Sequence, residues 1–369
     1  MPTLSPALLD GFVTELLIEH GTPRRLAEPV AASLVGADLR GHNSHGAMRV
    51  PRYGRMIADG AIVPDVEPTA DHDGATGLVD GHDAYGQLVG RVGVETAIEA
   101  AEETGLAAIG VRNASHLGRV GEWAERAADR GYLFLAFVNT QGGSATVAAP
   151  GTVDRRLSTN PIAVGVPTFD ELPFSIVLDA ATSQVANGKV RDRVARGEPV
   201  PEGWLIGPDG ETMTDGARFM NGEGAALPLG GLLSGYKGFG FGIIAELMAG
   251  IVSDGLVMGQ RSADWASNAA AFIAIDPLSF TTRSAVEARI AALAGHVKSA
   301  APSAAVPVTG GAKPELLALP GEPEYRTAMD RLAEGVPLPD RVVDELVEIA
   351  AESDREIEIP DGLPANSNG

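Results

Sequence analysis

The chain contains no cysteine among its 369 residues. That excludes disulfides, thiolate zinc sites, iron–sulfur clusters and cysteine nucleophiles. Lysine is almost as scarce. Only Lys189, Lys237, Lys298 and Lys313 occur among 28 basic residues, leaving 24 arginines. No long apolar run is present either: the best stretch, around 239–252, is interrupted by Glu246 and is shorter than the roughly 20 residues that cross a bilayer. No basic segment precedes an apolar one near the start. The expectation is a cytoplasmic protein with no membrane partner.

Forty-nine acidic residues against 28 basic ones give a net charge of −21, which argues against nucleic acid as a partner. Hydrophobic residues make up 44% of the chain, an ordinary globular composition. A chain of this length buries about 75% of its unfolded surface, so it folds without disulfide or metal staples. Excess carboxylate with little lysine suits high salt, where repulsion between surface charges is screened. A GC-rich coding bias gives the same texture. We expect halophily.

The first 60 residues read as helices. Ser5-Pro6 is a cap followed by a proline, with Leu8, Leu9, Phe12, Leu16 and Leu17 forming one stripe. Thr22-Pro23 repeats the device and opens a helix to about Leu39. A Gly/Pro/Asp-rich stretch from Asp59 to Asp83 reads as a boundary. Strand and helix patterns then alternate: helices at 91–104 and 120–130; strands at 106–111, 132–138, 162–166, 175–178 and 270–275. Glycine-rich residues 230–242 open a long apolar helix to Val252. Helices return at 283–297, 324–334 and 339–352, with a loop at 299–313 and a disordered tail from about 360. These patterns predict an α/β fold with a mixed sheet. The expected layout is a helical part over 1–75, a cofactor-binding α/β domain over 76–280, and C-terminal helices over 281–369 that pack on the N-terminal part.

The dinucleotide fingerprint G-x-G-x-x-G is absent, as is the phosphate-binding P-loop. Chemistry concentrates in other strings. Read as a helix, Ser44-His45-Gly46-Ala47-Met48-Arg49 places His45 and Arg49 at i and i+4, on one face. An imidazole that exchanges protons near neutrality then stands beside a guanidinium that clamps carboxylates. Pro51 should kink or end that helix, leaving open whether Tyr53 shares the face. A polar helix start capped by Ser44 explains the same string. Ser115-His116-Leu117-Gly118 follows a strand and precedes a helix, where ligand-facing loops of α/β folds lie; a plain turn would also need its small residues. Thr159-Asn160-Pro161, Asp179-Ala180-Ala181-Thr182 and Gly235-Tyr236-Lys237 are weaker candidates, the last placing a lysine at a helix start. Metal is not expected, because the seven histidines show no metal-ligand spacing such as H-E-x-x-H. Ser44, His45 and Asp179 offer the groups of a hydrolase triad, but no nucleophile elbow accompanies them.

Taken in order, these strings resemble the malate/L-lactate dehydrogenase family of NAD(P)-dependent oxidoreductases, which includes L-sulfolactate and ureidoglycolate dehydrogenases. The likeness runs to about residue 350 and includes Pro320-Gly321-Glu322. It implies a non-Rossmann α/β fold with a mixed-sheet cofactor-binding domain, a helical domain built from both chain ends, and a homodimer. It further implies that Arg49, Tyr53 and Thr159 bind a small carboxylate substrate. Ser44, His45 and His116 would carry acid/base chemistry, with either histidine as proton donor. Gly118, Thr140, Asp179, Ala181, Thr182, Lys237, Gly321 and Glu322 would line the cofactor.

Three departures refine this. Leu117 stands where an aromatic is common. Lys189 replaces an acidic residue of the imine-reducing members, which disfavours reduction of a cyclic imine such as piperideine-2-carboxylate. Glu322-Pro323-Glu324 would repel a 2′-phosphate, so NAD is expected over NADP. Arg52 and Arg119, near the site strings, favour malate or sulfolactate over lactate. A non-catalytic metabolite-binding protein is the alternative from another class.

Overall fold

In the computed structural model, which describes residues 1–260, 267–301 and 317–363, both chain ends meet in one core. Helix α1 (Pro6–Glu19) begins as its sequence dictates: Pro6 occupies the first turn and Ser5 Oγ accepts from Leu8 N. Its stripe buries Leu9, Phe12, Leu16 and Leu17, whereas Leu8 lies off it and is exposed. Helix α2 (Arg24–Leu39) adds Leu26, Val30 and Leu34. Thr22 does not cap α2; its hydroxyl is 2.8 Å from the Tyr85 hydroxyl instead. Helix α3 (Val50–Ala58) contributes Tyr53, and α11 (Asp340–Glu352) contributes Val343, Leu346 and Val347. Strands β1 (Thr3–Leu4) and β14 (Val336–Pro337) pair antiparallel and tie the two ends together.

The second core surrounds a seven-stranded mixed sheet. Its strands are β2 (Thr69–Asp73), β3 (Thr76–Asp80), β4 (Leu106–Ala114), β5 (Leu133–Asn139), β8 (Ile162–Val166), β9 (Ile176–Ala180) and β13 (Asn268–Ile275). The order is β2-β3-β4-β13-β5-β8-β9, and β3–β4 is its one parallel pair. Helices α4 (Gly86–Thr104) and α5 (Val120–Asp129) supply apolar faces to this core. A smaller five-stranded sheet joins β6 (Val147–Ala148), β7 (Arg155–Leu157), β10 (Leu205–Ile206), β11 (Thr212–Met213) and β12 (Ala225–Ala226). It packs with α6 (Asn187–Ala195) and α7 (Gly216–Met220).

Helix α8 (Gly231–Val252) lies along the large sheet and has two unlike faces. Its inner face is small, with Gly235, Gly238, Gly242, Ala245 and Ala249 buried. A Cβ on Gly238 would fall 2.3 Å from Leu229 O, so only glycine permits that approach. The outer face exposes Leu232, Leu233, Tyr236, Phe241, Ile244, Leu247 and Ile251. Helices α9 (Arg283–Lys298) and α10 (Glu322–Glu334) complete the chain order.

Several expectations change. The stretch from Asp59 to Asp83 is not merely a linker: it holds the β2–β3 hairpin, whose exposed edge strand lacks an apolar signature. Residues 43–49 form no α-helix; two 3₁₀ turns, Asn43–His45 and Ala47–Arg49, meet at extended Gly46. Pro51 does not end a helix but sits in the first turn of α3. Helix α8 starts six residues before Lys237, which therefore lies in its second turn and away from the dipole end. Its 22 residues are long and apolar enough to cross a membrane by length and composition, longer than the stretch read from the sequence. Most of the expected 299–313 loop and the end of the tail lie outside the described residues.

Candidate active site

The segment carrying Ser44, His45 and Arg49 is shaped by a buried acid. Asp38, at the end of α2, is 2% exposed, and its Oδ2 accepts from Ala47 N at 2.7 Å. A Cβ on Gly46 would lie 2.0–2.3 Å from that carboxyl group, so the carboxylate fits only against glycine. Arg331 of α10 donates to Asp38 O and, at 2.8 Å, to Asn43 Oδ1, fixing the other side of the turn. The 3₁₀ break replaces the expected helical register but keeps Arg49 local: its Nε donates to Ser44 O at 2.5 Å.

His116 arrives from the end of β4. Its backbone rests on the first turn of α4, where a Cβ on Gly86 would fall 2.2 Å from His116 O. Ser115 Oγ accepts from Gly86 N at 2.9 Å, and Asn268 of β13 accepts from Leu117 N at 2.9 Å. So three elements hold this loop.

These supports stack the two imidazoles, with centroids 5.3 Å apart and planes at 18°. His45 Nδ1 is 3.0 Å from Ser44 Oγ, and His116 Nδ1 is 2.9 Å from the Tyr53 hydroxyl. Each ring thus spends Nδ1 on the protein and keeps Nε2 for other work. Desolvation, then the Arg49 guanidinium, pushes both histidines well below the usual imidazole value. Burial lowers Arg49 to about 10, which leaves it cationic at neutral pH. Arg52 and Arg191 lie close enough to disfavour its charge further. Among the described residues, no ion pair neutralises Arg49, Arg52 or Arg191. An acidic chain has gathered uncompensated positive charge at one place, where an anion would be bound.

Tyr53 is fully buried. Its hydroxyl faces His116 Nδ1 and the Gln87 side chain, which donates to it at 2.8 Å. Arg119 also differs from expectation. It is 4% exposed and paired with Glu125 at 2.5 Å, a carboxylate it shares with Arg40, so its charge is partly offset within the fold. Thr159 anchors a turn in which its carbonyl accepts from Thr182 N and Thr182 Oγ1, at 2.9 and 3.1 Å. Its neighbour Asn160 donates to Glu246 Oε2 of α8 at 2.7 Å.

A separate hollow is lined by His42, Arg119, Asp179, Gly321, Glu324 and Tyr325 among others. Asp179 Oδ2 accepts from Gly121 N at 2.8 Å at the start of α5. A Cβ on Gly321, whose φ is +88°, would meet Ser175 O at 2.9 Å, so this wall also requires glycine. A carboxylate beside a glycine wall and two rings suits the hydroxyls and base of a nucleotide. Glu322 is not free to repel a phosphate. It is buried, pairs with Lys298 and Arg326, and accepts from Leu319 N. Only Glu324, 3.5 Å from His42, presents an acid to the hollow from this segment.

Gly118, with φ +74°, faces Gln87, and Thr140 Oγ1 bonds Gly143 O in the turn after β5. Ala181 links Asp179 to Thr182, while Lys237 is exposed beside the Tyr236 ring. No described contact joins Thr140 or Lys237 to the histidine pair. Sequence reasoning missed Asp38, Gln87, Arg191 and Arg331. Asp38 left a trace: it continues the apolar positions 27, 31 and 34 of α2, where an acid is out of place.

The profile of the malate/L-lactate dehydrogenase family matches residues 4–347. A malate dehydrogenase of Pyrococcus abyssi is 36% identical over 349 residues, covering 93% of this chain and 92% of its own. An L-sulfolactate dehydrogenase of Methanocaldococcus jannaschii is 30% identical over 363 residues, 96% and 98% of the two chains. The solved structure of a putative malate/lactate dehydrogenase from Escherichia coli superposes with a TM-score of 0.85 at 30% identity, covering 97% of this chain and 96% of its own.

Proposed function

The chain belongs to the malate/L-lactate dehydrogenase family, and from that premise we propose that it is an NAD(P)-dependent oxidoreductase interconverting a small 2-oxo acid and its 2-hydroxy acid. The observation that carries this is the stacked histidine pair with both Nε2 atoms free, set beside the unpaired Arg49.

Arg49 holds the substrate carboxylate, helped by Thr159. A carboxylate there offsets the guanidinium charge that depresses the imidazoles, so substrate binding itself raises their proton affinity. A histidine then gives its Nε2 proton to the carbonyl oxygen during reduction, or takes the hydroxyl proton during oxidation. Ser44 orients His45, and Tyr53 orients His116. The nicotinamide, when bound, supplies or accepts the hydride. Asp179, Gly321 and Glu324 would hold the adenosine end of the dinucleotide, with Gly118, Thr140, Ala181, Thr182 and Lys237 as further contacts carried from the family motifs. Glu324 beside the hollow favours NAD over NADP, since a 2′-phosphate would meet its charge.

Arg52 and Arg191 favour a substrate with a second anionic group, malate or sulfolactate, over lactate. The apolar outer face of α8 supports a homodimer. The enzyme would act in the cytoplasm.

The test is oxidation of NADH and NADPH with oxaloacetate, sulfopyruvate, pyruvate and piperideine-2-carboxylate. We expect turnover with the dianionic oxo acids, weaker turnover with pyruvate and none with the imine. Arg49→Lys should lower kcat/KM by about 30- to 100-fold, the loss of one or two charge-assisted hydrogen bonds. Imine turnover exceeding that of every oxo acid, or an unaffected Arg49→Lys, would refute the assignment.

A further inference from the structure

Gln87 occupies the first turn of α4, 2% exposed, among buried residues that are, Thr96 apart, glycine and aliphatic. Its Nε2 donates to the Tyr53 hydroxyl at 2.8 Å, and that hydroxyl stands 2.9 Å from His116 Nδ1. Its other polar atom, Oε1, is buried without a hydrogen-bond partner. A buried amide with one orphaned end carries a free-energy penalty that needs a reason.

Counting hydrogens supplies one. The Tyr53 hydroxyl has a single hydrogen and two polar neighbours. While Gln87 donates to it, that hydrogen goes to His116 Nδ1, which then acts as acceptor. If the amide turns over, Oε1 accepts from Tyr53, and the tyrosine oxygen becomes free to accept a hydrogen bond from His116 Nδ1–H. The first arrangement supports a neutral imidazole protonated on Nε2. The second supports an imidazolium, or the neutral tautomer whose Nε2 is a base. An amide offers both states, a donor at one end and an acceptor at the other.

We propose that Gln87 is a positioning residue which, acting through Tyr53, sets the charge state and tautomer that His116 presents to the substrate. The inference rests on the reading of His116 as an acid/base group. The other groups facing His116 are Arg49 and Arg52 from the 49–52 segment and His45 from the preceding turn, and all three oppose its protonation. Tyr85, at the start of α4, packs edge-on against Tyr53 and bonds Thr22. Among the described residues no carboxylate acts on His116, so the Gln87–Tyr53 pair is the local means of accommodating a cation.

The test compares Gln87→Glu with Gln87→Leu. A carboxylate only accepts, so Gln87→Glu should favour the imidazolium and raise the His116 titration by about one pH unit. Leucine leaves the tyrosine hydrogen to His116 Nδ1 alone, so Gln87→Leu should lower the titration. Two readouts apply: ¹⁵N NMR of the imidazoles in the cofactor-free protein, and the pH profile of kcat/KM. A purely structural role would lower Tm in both variants without moving the titration in opposite directions. Tyr53→Phe breaks the relay, and in that background the two Gln87 variants should titrate alike. Superimposable His116 titrations in Gln87→Glu and Gln87→Leu would overturn the proposal, as would opposite shifts that persist in Tyr53→Phe. Opposite NMR shifts in a protein that turns over no 2-oxo acid would leave it standing and sink the functional reading instead.

Discussion

The His45 and His116 rings stack 5.3 Å apart although 70 residues lie between them in the chain. Each Nδ1 is held by a hydroxyl, from Ser44 and Tyr53 respectively. Two adjacent imidazoles beside an arginine cannot both be charged at modest cost, and this governs how the enzyme responds to pH.

Both histidines have lowered proton affinity in the folded protein, so the folded state resists a protonation that the unfolded chain accepts. Stability from this source is complete above the ordinary imidazole value, near 6.5, and is lost as pH falls below it. An anion on Arg49 should reverse the trend. Oxalate binding to the enzyme with its cofactor is expected to take up protons at pH 6–7, visible by calorimetry in buffers of different ionisation enthalpy. Arg49→Ala should abolish the uptake; an unchanged uptake would refute the coupling.

Asp38 has the opposite sign. Burial pushes its carboxyl up to about 7 despite the Ala47 hydrogen bond. Its contribution is therefore fully present below the ordinary carboxyl value and is lost as pH rises through about 7. Asp38→Asn keeps an acceptor for Ala47 and removes the titration. The variant should show a flatter Tm between pH 4 and 7 and match or exceed wild type at pH 8. Asp38→Ala should cost about 1–3 kcal/mol by orphaning the amide.

Gly86→Ala would drive a Cβ into the His116 carbonyl, displacing the loop that carries the imidazole. We expect a loss of about 1–3 kcal/mol in stability, with a fall in kcat greater than the change in Tm accounts for. Gly295→Ala, on α9, meets nothing within 4 Å and serves as the control; equal kinetics in the two variants would count against this packing.

The outer face of α8 presents Leu233 at 93% and Ile251 at 73% exposure. If a second copy covers this face, Leu233→Asp with Ile251→Asp should convert a dimer to monomers in sedimentation. A wild-type monomer at micromolar concentration would dismiss that reading.

Charge repulsion at −21 should be relieved by salt. Activity and Tm are expected to rise with KCl towards 1 M, where the Debye length is about 3 Å. A steady loss of activity over that range would end the halophilic reading without touching the family.

Local patterns in the sequence determined much of this protein. The Ser5-Pro6 cap, the α1 stripe and the core strand Ile162–Val166 were legible because caps and apolar periodicity act over a few residues. Ser44, His45, Arg49 and His116 stood out in short strings, and the fold brings them together. The 3₁₀ break at Gly46 was not legible, because it answers to a carboxylate eight residues earlier and to Arg331 nearly 300 residues away. Nor was the edge hairpin β2–β3, whose outer strand has no apolar face and whose inner strand buries only Val79 against β4 and its helix. Tertiary contact alone decided that Arg119 is tied to Glu125 and Glu322 to Lys298 and Arg326, and that Tyr53 speaks to His116 and Gln87. Composition fixes how many charges a chain carries; which of them remain unpaired, and so able to bind, depends on what the fold sets beside each one.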